Sequence, residues 1–199
     1  MNMTKVNRIV EKSDIVAPDV YAKNRKQIRK ELVEYKKNRR IPLGPYATFY
    51  FENFKTMLAQ IQEMLHIEKG GDEQLKDELN AYNPLIPRGK ELVATLMFEI
   101  DDPILRANFL GKVGGIEKKV KLNIGKDTII ATPEIDVDRT SAEGKASSVQ
   151  FLHFHFSDEQ IKNFKVVDTK VALSIDHSLY DHAAIISKNT KKTLEEDFI

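Results

Sequence analysis

The sequence predicts an α+β fold, in which a helical portion comes first and a largely antiparallel β-sheet with short intervening helices follows. Apolar residues recur at helical spacing in the first part of the chain, whereas later segments alternate between apolar and polar residues. Most segments between the later strands are too short for the crossover helices of a parallel sheet. We expect a polar lead-in over residues 1–18 and a single domain over residues 19–199, with a helical portion at 19–87, a mainly β portion at 88–187 and a terminal helix or tail at 188–199.

The composition excludes several classes of site. The chain has 199 residues, of which 41% are hydrophobic and 31% charged, and a net charge of +1, which is typical of a globular protein. Because there are no cysteines, disulfides, thiolate zinc sites, cysteine-ligated iron–sulfur clusters and a cysteine nucleophile are excluded. No apolar run approaches the about 20 residues that cross a bilayer, and no apolar signal segment is visible, so we expect a cytoplasmic protein without a membrane partner.

A basic helix is predicted from about residue 19 to residue 39. Its apolar residues Tyr21, Ile28, Leu32 and Tyr35 fall on one stripe at helical spacing. Between residues 23 and 40 the other faces carry nine basic and two acidic residues. The candidates for binding a partner or an anion are Arg25, Arg29, Lys36, Arg39 and Arg40. A hydrated helix face is the simpler interpretation of these charges.

A second, more regular amphipathic helix follows a predicted strand at residues 46–52 and begins after Asn53, a suitable N-cap. Its apolar stripe is centred on Ile61. Glu63 and His66 match Glu-x-x-His, which is half of the ligand motif of carboxylate-bridged di-iron bundles. At about 100° per residue both side chains project away from Ile61, so we expect both to face solvent rather than hold iron.

The second half of the chain reads as strands joined by turns. Strands are predicted near residues 92–100, 120–124, 128–132, 149–156, 171–175 and 180–186, with a hairpin between the second and third. Residues 133–147 are the longest polar loop, and we expect this loop to be mobile.

Two short helices interrupt these strands. One should begin at Pro103, with Leu105 and Phe109 facing the core. The other should begin after Ser157, because Ser157 and Gln160 form the pattern of a capping box.

His153 and His155 are two residues apart in a predicted strand and therefore share one face. Such a pair can hold a divalent metal when a neighbouring strand supplies a third ligand, for which His182 and His177 are candidates. A histidine that binds a metal normally donates its other ring N–H to an acceptor such as a carboxylate, and no such carboxylate can be identified from the sequence. We therefore expect no cofactor, and a metal site that draws on His153, His155, His182 and Glu63 is the alternative.

Five segments carry a resemblance that keeps their order and extends over roughly residues 14–185: RRIPLGPYATFYFEN, QIQEML, DELNAYNPLIP, LVATLMFEIDD and SSVQFLHF. Together they resemble the uncharacterised bacterial family DUF3501, which has no established activity. Its members are encoded near rubrerythrin-type di-iron proteins and iron–sulfur oxidoreductases, so the resemblance implies a role beside a redox or peroxide-handling system. The family pattern has arginine where this chain has His66, His153 and His155. The resemblance thus implies that these positions favour a basic group, which weakens the metal interpretation.

The favoured function is that of a non-catalytic accessory protein that binds a redox protein. The sequence contains no complete hydrolase triad, calcium loop or phosphate-binding glycine loop. One alternative is a metal-binding protein or redox enzyme with His and Glu ligands. The other is an RNA- or anion-binding module that uses the basic helix over residues 23–40, although nucleic acid is the less favoured partner. A homo-oligomer is compatible with the sequence.

Overall fold

The computed structural model describes residues 8–134 and 144–199, and it confirms the α+β fold with antiparallel sheets. The chain divides into two units. Residues 1–37 and 52–88 make up the helical unit, and residues 38–51 and 89–199 make up the sheet unit. Most of the predicted polar loop, residues 135–143, lies outside the described residues.

The α-helices of the described residues are α1 (Pro18–Lys36), α2 (Phe54–Glu68), α3 (Gly71–Tyr82), α4 (Pro103–Leu110), α5 (Asp158–Lys165) and α6 (Lys188–Glu195). The strands are β1 (Arg40–Leu43), β2 (Ala47–Glu52), β3 (Glu91–Phe98), β4 (Val120–Ile124), β5 (Asp127–Ile130), β6 (Thr132–Pro133), β7 (Val149–His155), β8 (Val171–His177) and β9 (Tyr180–Ile185). The chain end predicted as a terminal helix or tail is therefore helical as α6. Within the described ranges, none of these helices combines the length and the apolar character that a membrane crossing requires.

Two antiparallel sheets build the sheet unit, with strand orders β1-β2-β3-β7-β6 and β5-β4-β8-β9. Apolar side chains from both sheets belong to one core, in which Phe49, Leu92, Phe154, Leu122 and Leu173 have no exposed surface. The β3 strand is buried on both faces.

Residues 40–43 form a strand that was not expected from the sequence. The predicted helix ends at Lys36, and a single 3-10 turn (Lys37–Arg39) leads into β1. This strand lies at the edge of its sheet and pairs with β2, where Pro42 stands opposite Thr48. An edge strand tolerates proline because one side of its backbone has no ladder partner, so Pro42 does not prevent β structure here.

Cap residues begin the helices where the sequence placed them. The side chains of Asn53, Asp102 and Ser157 each accept hydrogen bonds from first-turn N–H groups of α2, α4 and α5. The predicted core position of Leu105 is wrong, since this side chain is 45% exposed and Leu110 is buried instead. In a helix of two turns, the capping signal fixes the start, but it does not determine which face meets the sheet.

The turn between β1 and β2 is held by the hydroxyl of Tyr180 on β9. This oxygen accepts hydrogen bonds from the N–H groups of Tyr46, at 3.0 Å, and Ala47, at 2.9 Å, and it donates to the carbonyl of Leu43 at 2.6 Å. Burial raises the pKa of Tyr180 above its usual value, so the hydroxyl stays protonated and can donate. One side chain therefore satisfies three backbone groups of the turn.

We expect Tyr180→Phe to lower the free energy of unfolding by about 2–3 kcal/mol, because it leaves buried backbone groups without a partner. Urea denaturation of the purified protein measures this loss. The control is Tyr50→Phe, whose hydroxyl bonds to Glu99 at an exposed position. It should cost less than about 1 kcal/mol. Equal effects of the two variants would contradict the role assigned to Tyr180.

Candidate functional site

One side of α1 carries a row of exposed lysines. Lys23, Lys26 and Lys30 are spaced at i, i+3 and i+7, which places them on one helix face, and we call these three residues the lysine row. Val33 continues this face and is 63% exposed. Lys37, just after α1, pairs with Glu34 at 2.8 Å, whereas within the described ranges no ion pair forms at the lysine row. These three cations are therefore available to an acidic partner.

The five basic residues singled out from the sequence have different environments. Arg29 and Arg40 are exposed, Arg25 and Lys36 are half-buried, and Arg39 is buried. They divide between the helical unit, up to Lys36, and the sheet unit, from Arg39 onward. The exposed Arg40 lies 3.6 Å from the carboxylate of Glu99 and 5.5 Å from the ring centre of Tyr50.

Arg39 holds the sheet unit together from inside. Its Nε donates to the carbonyl of Phe51 at 2.9 Å, its Nη1 to the carbonyl of Thr193 at 3.5 Å, and its Nη2 pairs with the carboxylate of Asp197. The two charged side chains are 1% and 6% exposed. A guanidinium buried in this way cannot reach a partner surface.

Glu63 contacts α1 instead of facing solvent, so the expectation from the helical wheel is wrong. Its carboxylate accepts hydrogen bonds from the hydroxyl of Tyr21 at 2.8 Å and from Nε of Arg25 at 3.0 Å, and its side chain is 22% exposed. The Arg25 hydrogen bond lowers the pKa of Glu63 to about 2, although burial opposes this shift. Burial, together with the hydrogen bond to Glu63, raises the pKa of Tyr21 to about 12.

The Glu-x-x-His half-motif is thus part of the packing between α1 and α2. The carboxylate of Glu63 is committed to Arg25 and Tyr21, and the ring of His66 lies edge-on to Tyr21 with 5.6 Å between the ring centres. The helical-wheel prediction for Glu63 failed because it considered only the apolar stripe of α2, whereas α2 also packs a polar edge against α1.

His153 lies between two carboxylates that the sequence did not reveal. Its Nδ1 is 3.1 Å from Oε2 of Glu91 on β3, and its Nε2 is 2.7 Å from Oε2 of Glu134, just after β6. The side chain of His153 is only 13% exposed. Burial lowers the pKa of His153, but the hydrogen bonds to Glu91 and Glu134 outweigh burial and raise the pKa above its usual value.

His155 extends this cluster towards solvent. Its Nδ1 lies 3.4 Å from the same oxygen of Glu91, its side chain is 64% exposed, and its ring stacks on that of His153 with 5.9 Å between the centres. Strand register creates this arrangement, because Glu91 stands directly opposite His155 in the β3–β7 ladder. No signal within a single segment of sequence could have indicated that neighbour.

The other predicted metal ligands lie elsewhere. His182 is on β9 in the other sheet, where its ring lies 4.5 Å from that of Tyr180 and leaves no room for a side chain at Gly44. Glu63 belongs to the helical unit. Across residues 8–134 and 144–199, no group of three or more His, Asp or Glu side chains is arranged to hold a metal ion. A metal site therefore stays a prediction that metal analysis of the purified protein would test.

The cluster around His153 predicts a pH dependence of stability. Because the folded pKa is raised, the contribution of His153 is fully present below its unfolded pKa of about 6.5 and is lost as pH rises through the folded pKa. We therefore expect the stability advantage of the wild type over His153→Gln to shrink with increasing pH in urea denaturation. The control is His177→Gln at the end of β8, where Nδ1 accepts from the N–H of Leu179. An advantage for His153 that grows with pH would contradict the assigned protonation.

Comparison with known proteins places the chain in a family. The family model described as "Protein of unknown function (DUF3501)" matches residues 9–198. A crystal structure of a novel protein of unknown function from Burkholderia pseudomallei is similar, with a TM-score of 0.89 and 32% sequence identity over 96% of this chain and 99% of that chain. No curated protein matches the sequence. The chain belongs to the family of proteins of unknown function DUF3501.

Proposed function

We propose that the protein is a cytoplasmic, non-catalytic accessory protein of a redox system, and that its lysine row binds an acidic surface of the partner. The observation that carries this proposal is the placement of Lys23, Lys26 and Lys30 on one exposed face of α1, with no ion pair at any of them among the described residues. The redox setting comes from the family resemblance, since members are encoded near rubrerythrin-type di-iron proteins and iron–sulfur oxidoreductases.

The contacts of the strongest candidates for chemistry support a non-catalytic role. A general acid or base needs a polar atom within hydrogen-bond reach of its substrate. Glu63 uses both carboxylate oxygens on Arg25 and Tyr21, and both ring nitrogens of His153 face carboxylates. Each of these groups therefore already stabilises the fold through its contacts.

The lysine row suits electrostatic docking better than tight binding. Exposed ion pairs contribute about 0.2–1 kcal/mol each, so three such contacts orient a partner and speed its approach more than they prolong the complex. Val33, on the same face, adds an apolar contact. The interaction should weaken as salt screens the lysines.

We expect the triple variant Lys23→Glu, Lys26→Glu, Lys30→Glu to recover at least about tenfold less of a redox partner than the wild type, because each reversal replaces attraction with repulsion. The measurement is a tagged pull-down from the native host at near-physiological salt, quantified by mass spectrometry. The partner should be a di-iron or iron–sulfur oxidoreductase.

The matched control reverses three exposed lysines outside α1, Lys112, Lys118 and Lys126, and should recover the partner normally. Equal loss in both triple variants would show an unspecific charge effect and overturn the assignment to α1. Recovery of RNA that nuclease removes, without a protein partner, would favour the anion-binding alternative. Turnover of a redox or hydrolytic substrate by the purified protein alone would contradict the non-catalytic role.

A further inference from the structure

The helical unit contains a cavity of about 630 Å³, and its lining includes none of the three lysines of the lysine row. Its apolar lining consists mainly of Ile15, Val16, Ala17, Pro18, Leu65 and Leu75. The volume lies within the range of about 300–1,000 Å³ that is typical of small-molecule sites. A smaller cavity of about 200 Å³ adjoins it and shares Val16, Tyr21 and Gln62 as walls.

The neutral polar groups of the lining are already bonded. The amide of Gln62 accepts from the N–H of Val16 at 2.8 Å and donates to its carbonyl at 3.0 Å. The hydroxyl of Tyr21 donates to Glu63. A sugar or a nucleobase would bury donors and acceptors here without these partners, which is costly. The cavity therefore favours a ligand whose body is apolar.

The helix ends at the lining favour an anion. Its charged residues are Lys12, Lys69, Asp19 and Asp72, and these cancel one another. The helices α1 and α3 both begin at the cavity, and their N-caps, Ala17 and Gly70, make no side-chain cap bond. The two helix starts together contribute about one positive charge, of which the last turn of α2 offsets about half. The wall is thus weakly positive overall.

Among the lining cations, Lys69 is the one that a ligand can use most directly. Lys12 is paired with Asp72 at 2.8 Å, whereas no ion pair forms at Lys69 within the described ranges. Lys69 ends α2 in a left-handed conformation, with φ at 56°, and is exposed at the cavity edge.

We propose that this cavity binds a medium-chain carboxylate. The alkyl chain lies against the apolar lining, and the carboxylate lies towards Lys69 and the starts of α1 and α3. This site does not depend on the lysine row, so either proposal can fail without the other.

Calorimetric titration with hexanoate, octanoate and decanoate tests the proposal on the full-length protein. The dissociation constant should fall about tenfold for each two added carbons, because each buried methylene contributes to binding. Octylammonium has the same number of carbon atoms as octanoate and the opposite charge, so it should bind at least severalfold more weakly. No binding of any carboxylate, or equal binding of octylammonium, would overturn the proposal.

Variants locate the site. Ala22 lines the cavity from an exposed position on α1, so Ala22→Trp should block decanoate with little effect on folding. Ala22→Glu repels the carboxylate and provides a second test if the tryptophan variant misfolds. Lys69→Asn, which keeps a residue tolerant of the left-handed region, should weaken binding severalfold, and the matched control Lys76→Asn on α3 should not.

Unchanged decanoate binding in both Ala22 variants would place the ligand elsewhere and overturn the proposal. Light scattering of the same samples tests whether a second copy of the chain fills the cavity. A wild-type dimer that Ala22→Trp converts to a monomer would show that a second copy fills the cavity instead, which would also overturn the proposal.

Discussion

The buried guanidinium of Arg39 is the contact on which the sheet unit depends. Arg39 lies just before β1 and bonds to the carbonyl of Phe51 on β2 and to the carboxylate of Asp197 after α6. Its side chain thereby connects segments that are distant in sequence. Removal of one member of such a pair leaves an uncompensated buried charge, at a cost of about 3–5 kcal/mol. Next to Asp197, the ring of Phe198 packs at 4.7 Å from Phe156, so the chain end completes the core.

Other charged side chains in the interior also depend on bonded partners. Lys191 is 5% exposed, and its ammonium donates to the carbonyls of Val166 and Thr169, which bind the end of α5 to α6. Burial lowers the pKa of Lys191. Glu63 and His153 are likewise held by specific partners. Charged groups in these places stabilise the fold through their contacts.

The sequence predicted the features that depend on neighbouring residues. The alternating residue pattern predicted β3, and the N-caps Asn53 and Ser157 predicted where α2 and α5 begin. Each of these signals acts within one turn or one strand. The strand β1 was missed because a proline reads as a break unless the chain is known to run along a sheet edge.

The candidate site was less predictable, because it depends on contacts between distant segments. The sequence predicted the basic character of α1, but Arg25 and Arg39 are paired, whereas Lys23, Lys26 and Lys30 lie exposed on one helix face. Glu91 and Glu134 meet His153 only through strand register. The cavity beside Leu65 and Leu75 forms where three helices meet, which no periodicity specifies.

Zero-length carbodiimide cross-linking in the native host is a direct test of docking through the lysine row, because it joins a lysine only to a carboxylate in contact with it. We expect cross-links from Lys23, Lys26 or Lys30 to acidic residues of one redox protein, identified by mass spectrometry. Cross-links that arise mainly from lysines outside α1, or that scatter over many unrelated proteins, would contradict the assignment of α1 as the docking surface.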